Sequence, residues 1–117
     1  MNQMVNELHT IEELNQTLEE SKDHPVLFFK HSNACPISSR AFNEFRAYLQ
    51  NPDPEVSYHL VVVQTARQVS DEIESRLQVL HESPQAILVR DGREIWNASH
   101  FAITASALAE TIKTHKG

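Results

Sequence analysis

The sequence predicts an α/β domain: a mixed central sheet of about four strands flanked by helices, with a β-hairpin and a helix at its C-terminal end. Three features predict it. Apolar residues recur at helical spacing in several segments. Short, continuous apolar runs lie between those segments, as in strands buried on both faces. Asp91-Gly92 separates two apolar stretches, which marks the two-residue turn of a hairpin.

The first helix opens at Thr10. Thr10 and Glu13 make a capping-box pattern, and Ile11, Leu14 and Leu18 mark the apolar face that follows. Asp23-His24-Pro25 ends it. Val26 to Lys30 reads as a central strand, and His31-Ser32-Asn33 as the polar bend after it. Pro36 falls in the first turn of the next helix, where a missing N–H costs nothing. Ile37, Ala41, Phe42, Phe45, Tyr48 and Leu49 give that helix its buried stripe. The turn Asn51-Pro52-Asp53-Pro54 is a connection within one domain, which spans residues 1–117.

Tyr58 to Val63 is the second strand. Ser70 is expected to cap a third helix, with Ile73, Leu77 and Leu80 turned inward. Ala86 to Val89 and Glu94 to Asn97 form the hairpin around Asp91-Gly92, and Trp96 packs on a sheet face. A last helix runs from about Thr104 to Thr114, with Leu108 and Ile112 inward. The expected sheet order is Tyr58–Val63, Val26–Lys30, Ala86–Val89, Glu94–Asn97. The first pair is parallel, by a right-handed crossover, and the other two pairs are antiparallel. Met4–Leu8 could add a short edge strand, but the expected sheet does not include it.

Composition narrows the function. Ten basic residues against sixteen acidic ones give a net charge of −6. That balance argues against nucleic acid or an anionic membrane as partner. No apolar run approaches the roughly 20 residues that cross a bilayer, and Met1 to Leu8 lacks the pattern of a secretory signal. A cytoplasmic location is therefore expected. The single cysteine, Cys35, excludes an internal disulfide and a four-cysteine zinc site. The seven histidines lack the spacing of a zinc helix, so no metal site is expected.

The predicted topology gathers distant residues at one end of the sheet: Cys35, Thr65 to Arg67, Ser83-Pro84 and Ser99-His100. This is the carboxyl end of the parallel pair, where open α/β sheets bind ligands. Cys35 stands at a helix N-terminus, whose free N–H groups and positive dipole end favour an anionic sulfur. It occupies the place of the nucleophile in a Cys-X-X-Cys redox site, but the fourth residue is Ser38. Any chemistry must then use one thiol; the competing reading is a buried, structural cysteine. Ser83-Pro84 precedes an apolar strand. A cis proline there would keep the strand edge off the thiol and present backbone groups to a substrate; a trans proline would simply open the strand.

The segment from Phe28 through Cys35-Pro36-Ile37-Ser38 resembles the active-site region of the monothiol bacilliredoxins, thioredoxin-like proteins of the bacillithiol system of Gram-positive bacteria. His81-Glu82-Ser83-Pro84-Gln85 resembles a second stretch of that family. Trp96-Asn97-Ala98-Ser99-His100, continuing to Ile103-Thr104, resembles a third, and Gln64-Thr65-Ala66-Arg67 with Ser70 also fits. The resemblance runs from about Leu14 to Thr111. One residue departs from it: Ala34 stands where the family usually carries threonine, which removes a hydroxyl beside the thiol.

The resemblance implies a thioredoxin-like fold and removal of bacillithiol from mixed disulfides on oxidised client proteins. Cys35 is the implied nucleophile. Bacillithiol is then a co-substrate, and no resident cofactor is implied. Ala34, Pro36, Ser38, Arg67, Ser83, Pro84 and His100 are the expected substrate-binding set. Arg67 is the candidate cation for the malate carboxylate of bacillithiol; otherwise it is a solvated loop residue. His31 either stabilises the thiolate or merely finishes its strand, and His100 either lines the groove or lies on the surface. Two competing functions stand beside this one. A shared iron–sulfur cluster, as in monothiol glutaredoxins, would use Cys35 from two chains, but Pro36 stands where those proteins carry glycine. A non-catalytic thioredoxin-like interaction module needs no reactive thiol. A metal bound by His31 and Cys35 has too few ligands for a closed site.

Overall fold

Thr10 opens the first helix with the box its sequence predicts. Its hydroxyl accepts the Glu13 N–H at 3.1 Å, and the Glu13 carboxylate accepts the Thr10 N–H at 3.1 Å. The computed structural model describes residues 5–115. Along them run β1 (Val5–Glu7), α1 (Ile11–Glu20), β2 (Val26–His31), α2 (Pro36–Tyr48), β3 (Ser57–Val62) and α3 (Arg67–Leu77). Then follow β4 (Gln85–Arg90), β5 (Arg93–Ser99), a single 3₁₀ turn (His100–Ala102) and α4 (Ala105–His115).

The strands form one sheet in the order β1-β3-β2-β4-β5. β1 and β2 both run parallel to β3, while β4 is antiparallel to β2 and to β5. The expected four-strand order is present, with a fifth strand at its edge. Val5, Asn6 and Glu7 pair with Tyr58, His59 and Leu60. This corrects the expectation of about four strands; Met4 lies outside the described residues.

Period-two alternation in the strands divides the core into two layers. Val26 and Phe28 face one side, with Leu14 of α1 and Val69 and Ile73 of α3. Leu27 and Phe29 face the other, with Ala41 and Phe45 of α2 and Leu108 and Ile112 of α4. The hairpin turn has positive φ at Asp91 (56°) and Gly92 (72°), the geometry that the Asp-Gly pair predicts.

Two helix expectations need correction. α3 starts at Arg67, three residues before Ser70, with Ala66 as its N-cap. Ser70 is therefore a buried residue inside the helix. At the other end Gln78 turns left-handed (φ 59°) and stops the helix. Leu80 lies beyond that stop and is 75% exposed, not packed inward. The last helix is capped by the Thr104 hydroxyl, which accepts the Ala107 N–H at 3.1 Å.

Candidate active site

The strand ends converge as the topology predicts. β2 finishes at His31, whose carbonyl accepts the Val63 N–H at 2.9 Å just after β3. Lys30 pairs with Gln85 at the start of β4, and Gln85 pairs with Ser99 at the end of β5. The Cys35 loop, the Ser83-Pro84 loop and Ser99-His100 thus share one end of the sheet.

The Cys35 loop is pinned from two sides. The Gln64 side chain reaches across from the end of β3. Its Oε1 accepts the Asn33 N–H at 3.2 Å and its amide donates to Ser32 Oγ at 2.7 Å. From within, the fully buried Ser38 hydroxyl accepts the Ser32 N–H at 2.9 Å. The same oxygen shares a 2.8 Å hydrogen bond with His31 Nδ1. The His31 ring stacks on Phe42 with 4.7 Å between centroids. Burial pushes the His31 pKa down, so the neutral ring is favoured. His31 therefore ends its strand, bonded to Ser38.

Cys35 is the N-cap of α2 in an extended conformation (φ −123°, ψ 122°), and its carbonyl accepts the Ser39 N–H at 3.1 Å. The side chain makes no capping bond, and the thiol is free and half-buried. Pro36 follows at the first helical position; it and Ala34 are exposed.

The Ser83–Pro84 peptide is cis. Pro84 is buried, and its carbonyl accepts the His100 N–H at 3.2 Å. His100 adopts a positive φ of 55° as it leaves β5, a region that L residues seldom enter. Its Nε2 lies 3.8 Å from a Glu82 carboxylate oxygen. The Ser83 hydroxyl is buried without a hydrogen-bond partner among the described residues. Beside His100, Phe101 is 62% exposed and lies under the Arg40 guanidinium, 5.4 Å from the ring centre.

Sequence reasoning thus places Cys35, Pro36, Ser38, Ser83, Pro84 and His100 at one end of the fold. Arg67 sits there as the first residue of α3, exposed; its guanidinium contacts no other described residue by hydrogen bond or ion pair. Two features escaped that reasoning. Lys30 is fully buried, and its ammonium lies 3.1 Å from His81 Nδ1. Burial pushes the Lys30 pKa down to about 8, against the pull of Glu74 and Asp71. In the sequence Lys30 only ends an apolar run, and nothing there marks it as buried. Phe101 with Arg40 has no sequence pattern that pairs them.

A family model described as the monothiol bacilliredoxin BrxC matches residues 6–108. A solved structure described as a proposed oxidoreductase with a thioredoxin fold is 36% identical, covers 92% of each chain and has a TM-score of 0.80. Thioredoxin from Fasciola hepatica is 21% identical, covering 95% of this chain and 99% of that one, with a TM-score of 0.76. The thioredoxin NaTrxh of Nicotiana alata is 14% identical, with 100% and 96% covered and a TM-score of 0.79. The two thioredoxins share the fold: this chain has the thioredoxin fold. Among the described residues no helix is long and apolar enough to cross a membrane.

Proposed function

This chain belongs to the monothiol bacilliredoxin family, and from that premise we propose that it removes bacillithiol from mixed disulfides on oxidised cytoplasmic proteins, by way of Cys35. The observation that carries the proposal is the half-buried, free thiol at the start of α2, with a serine fixed at the place of a second cysteine. A redox role follows from family and fold together.

The reaction is two thiol–disulfide exchanges. The Cys35 thiolate attacks the bacillithiol sulfur of the mixed disulfide. The old S–S bond breaks, and the client leaves as a thiolate that takes up a proton. A new disulfide then joins Cys35 to bacillithiol. A second thiolate, from free bacillithiol, attacks the bacillithiol sulfur on Cys35. Bacillithiol disulfide leaves and the Cys35 thiolate returns. Over the cycle the client cysteine is reduced and two bacillithiol moieties end as one disulfide. The reducing cytoplasm supplies the free thiol.

Ser38 cannot resolve the intermediate, so the second thiol must come from outside. Ser83 and the cis Pro84 stand at the Cys35 end of the sheet, and the Ser83 hydroxyl there is buried without a partner among the described residues. Pro36 and Ala34 form the exposed rim on either side of Cys35. Ala34 offers no hydroxyl beside the thiol. Arg67 is the cationic candidate for a carboxylate of bacillithiol, and His100 lines the groove.

Release of bacillithiol from a capped protein tests this. Cys35→Ser abolishes release; full retention of activity overturns the mechanism. Arg67→Ala leaves stability within about 0.5 kcal/mol, as expected of an exposed side chain, and raises KM for capped substrate. An unchanged KM removes Arg67 from the binding site.

A further inference from the structure

We propose that Lys30 and His81 form a proton-operated tie that positions the Ser83–Pro84 loop against the strand carrying the Cys35 loop. Lys30 is the penultimate residue of β2, five residues before Cys35. His81 lies three residues before Pro84. Their side chains meet at 3.1 Å, Nζ to Nδ1.

An ammonium only donates. The bond therefore requires a bare Nδ1 on His81, with the ring proton on Nε2. A proton on Nδ1 removes the acceptor and sets two cations in contact, one of them in a buried position. The bond is made above the midpoint of His81 and lost below it. Burial and the Lys30 charge both push that midpoint down, so the tie persists below the usual range for histidine.

The groups around the pair come from three elements. From α3, the Ser70 hydroxyl lies 3.3 Å from the same Nδ1, and Glu74 accepts the His81 N–H at 2.9 Å. Asp71 and Glu74 attract both cations. On the loop itself, Glu82 attracts His81 and also pairs with His100 at 3.8 Å. At the start of β4, the Gln85 side chain donates to the Leu80 carbonyl at 3.1 Å and accepts the Glu82 N–H at 3.4 Å. Movement of His81 is thus passed to both ends of the loop. Lys30 is a positioning residue that acts through His81.

The consequence for turnover rests on the exchange reaction proposed above; the coupling of His81 to the loop does not. The test follows the full chain by NMR through an acid titration, reading the His81 ring nitrogens and the Ser83 and Gln85 amides. His81→Asn serves as the reference: its Oδ1 keeps an acceptor for Lys30 but binds no proton. In the parent, the Ser83 and Gln85 amides shift with the His81 midpoint, and His81→Asn removes that component. Lys30→Met, which keeps the length of the side chain but removes its charge, raises the His81 midpoint. Amides that do not follow the His81 midpoint, or a His81 midpoint unchanged in Lys30→Met, overturn the proposal. His81→Asn alters an exposed side chain and decides the matter alone if Lys30→Met fails to fold. In turnover, the parent KM for a bacillithiol-capped protein rises about fivefold or more on acidification through the His81 midpoint, and that of His81→Asn does not. An equal rise in both overturns the functional half. Absence of exchange at any pH defeats the proposed function and leaves the NMR result standing.

Discussion

Ser38 holds the Cys35 loop from beneath. Its hydroxyl accepts the Ser32 N–H and bonds the His31 ring, and no water reaches it. Ser38→Ala leaves both partners unsatisfied, which costs about 1–3 kcal/mol. Urea denaturation reads the loss; a change below about 0.5 kcal/mol means the loop holds without it. The sequence pointed to Ser38 as a substitute for a second thiol, because spacing from Cys35 is visible in one dimension. Its hydrogen bonds were not visible, since they depend on how β2 bends into α2. Lys30 shows the same limit. It ends an apolar run, and one dimension does not tell whether a strand-end lysine reaches water. The antiparallel pairing with β4 encloses it, and His81, 51 residues away in sequence, supplies its partner.

Elements with local codes were legible. The Thr10–Glu13 box, the proline at the start of α2 and the Asp91-Gly92 turn each act within four residues. Gly92 has a φ of +72°, and an added Cβ would meet nothing within 4 Å. Gly92→Ala therefore costs only the backbone penalty of the left-handed region, about 1 kcal/mol. A loss much beyond 2 kcal/mol in denaturant unfolding would contradict that account. Elements with weak codes were missed. β1 has three residues, half-buried or exposed, with no alternation to mark it; its place comes from pairing with β3. Leu80 continues the apolar spacing of α3, whereas Gln78 breaks the helix before it by turning left-handed without a glycine. At its start Ser70 looks like a cap in the sequence, whereas its hydroxyl faces His81 from inside the helix.

At the scale of the molecule, the sheet order of β3, β2, β4 and β5 was legible because crossover handedness and a hairpin leave little choice. Burial of polar groups in the two layers was not. His59 lies on β3, 2% exposed, with its Nδ1 unpartnered among the described residues. Burial, with a small push from His24, lowers its pKa from 6.5 to about 4. The folded state thus holds His59 neutral while the unfolded chain binds the proton first. Stability is intact above pH 6.5 and falls as pH drops from 6.5 toward 4, by roughly 3 kcal/mol from this group. His31 and His81, also lowered, add to the same slope. Unfolding free energies measured across that window check the sign, and His59→Phe flattens the curve; a stability that is level from pH 7 to 4 contradicts the burial argument. The same two-layer core carries Cys35 to the end of the sheet, and the central claim is that this thiol receives bacillithiol. Intact-protein mass spectrometry of the reduced chain, mixed with a bacillithiol-capped protein, tests it most directly. The account predicts one bacillithiol added to this chain at Cys35, with loss of the cap from the substrate. A chain that stays unmodified, with Cys35 still free and titratable after unfolding, would contradict it.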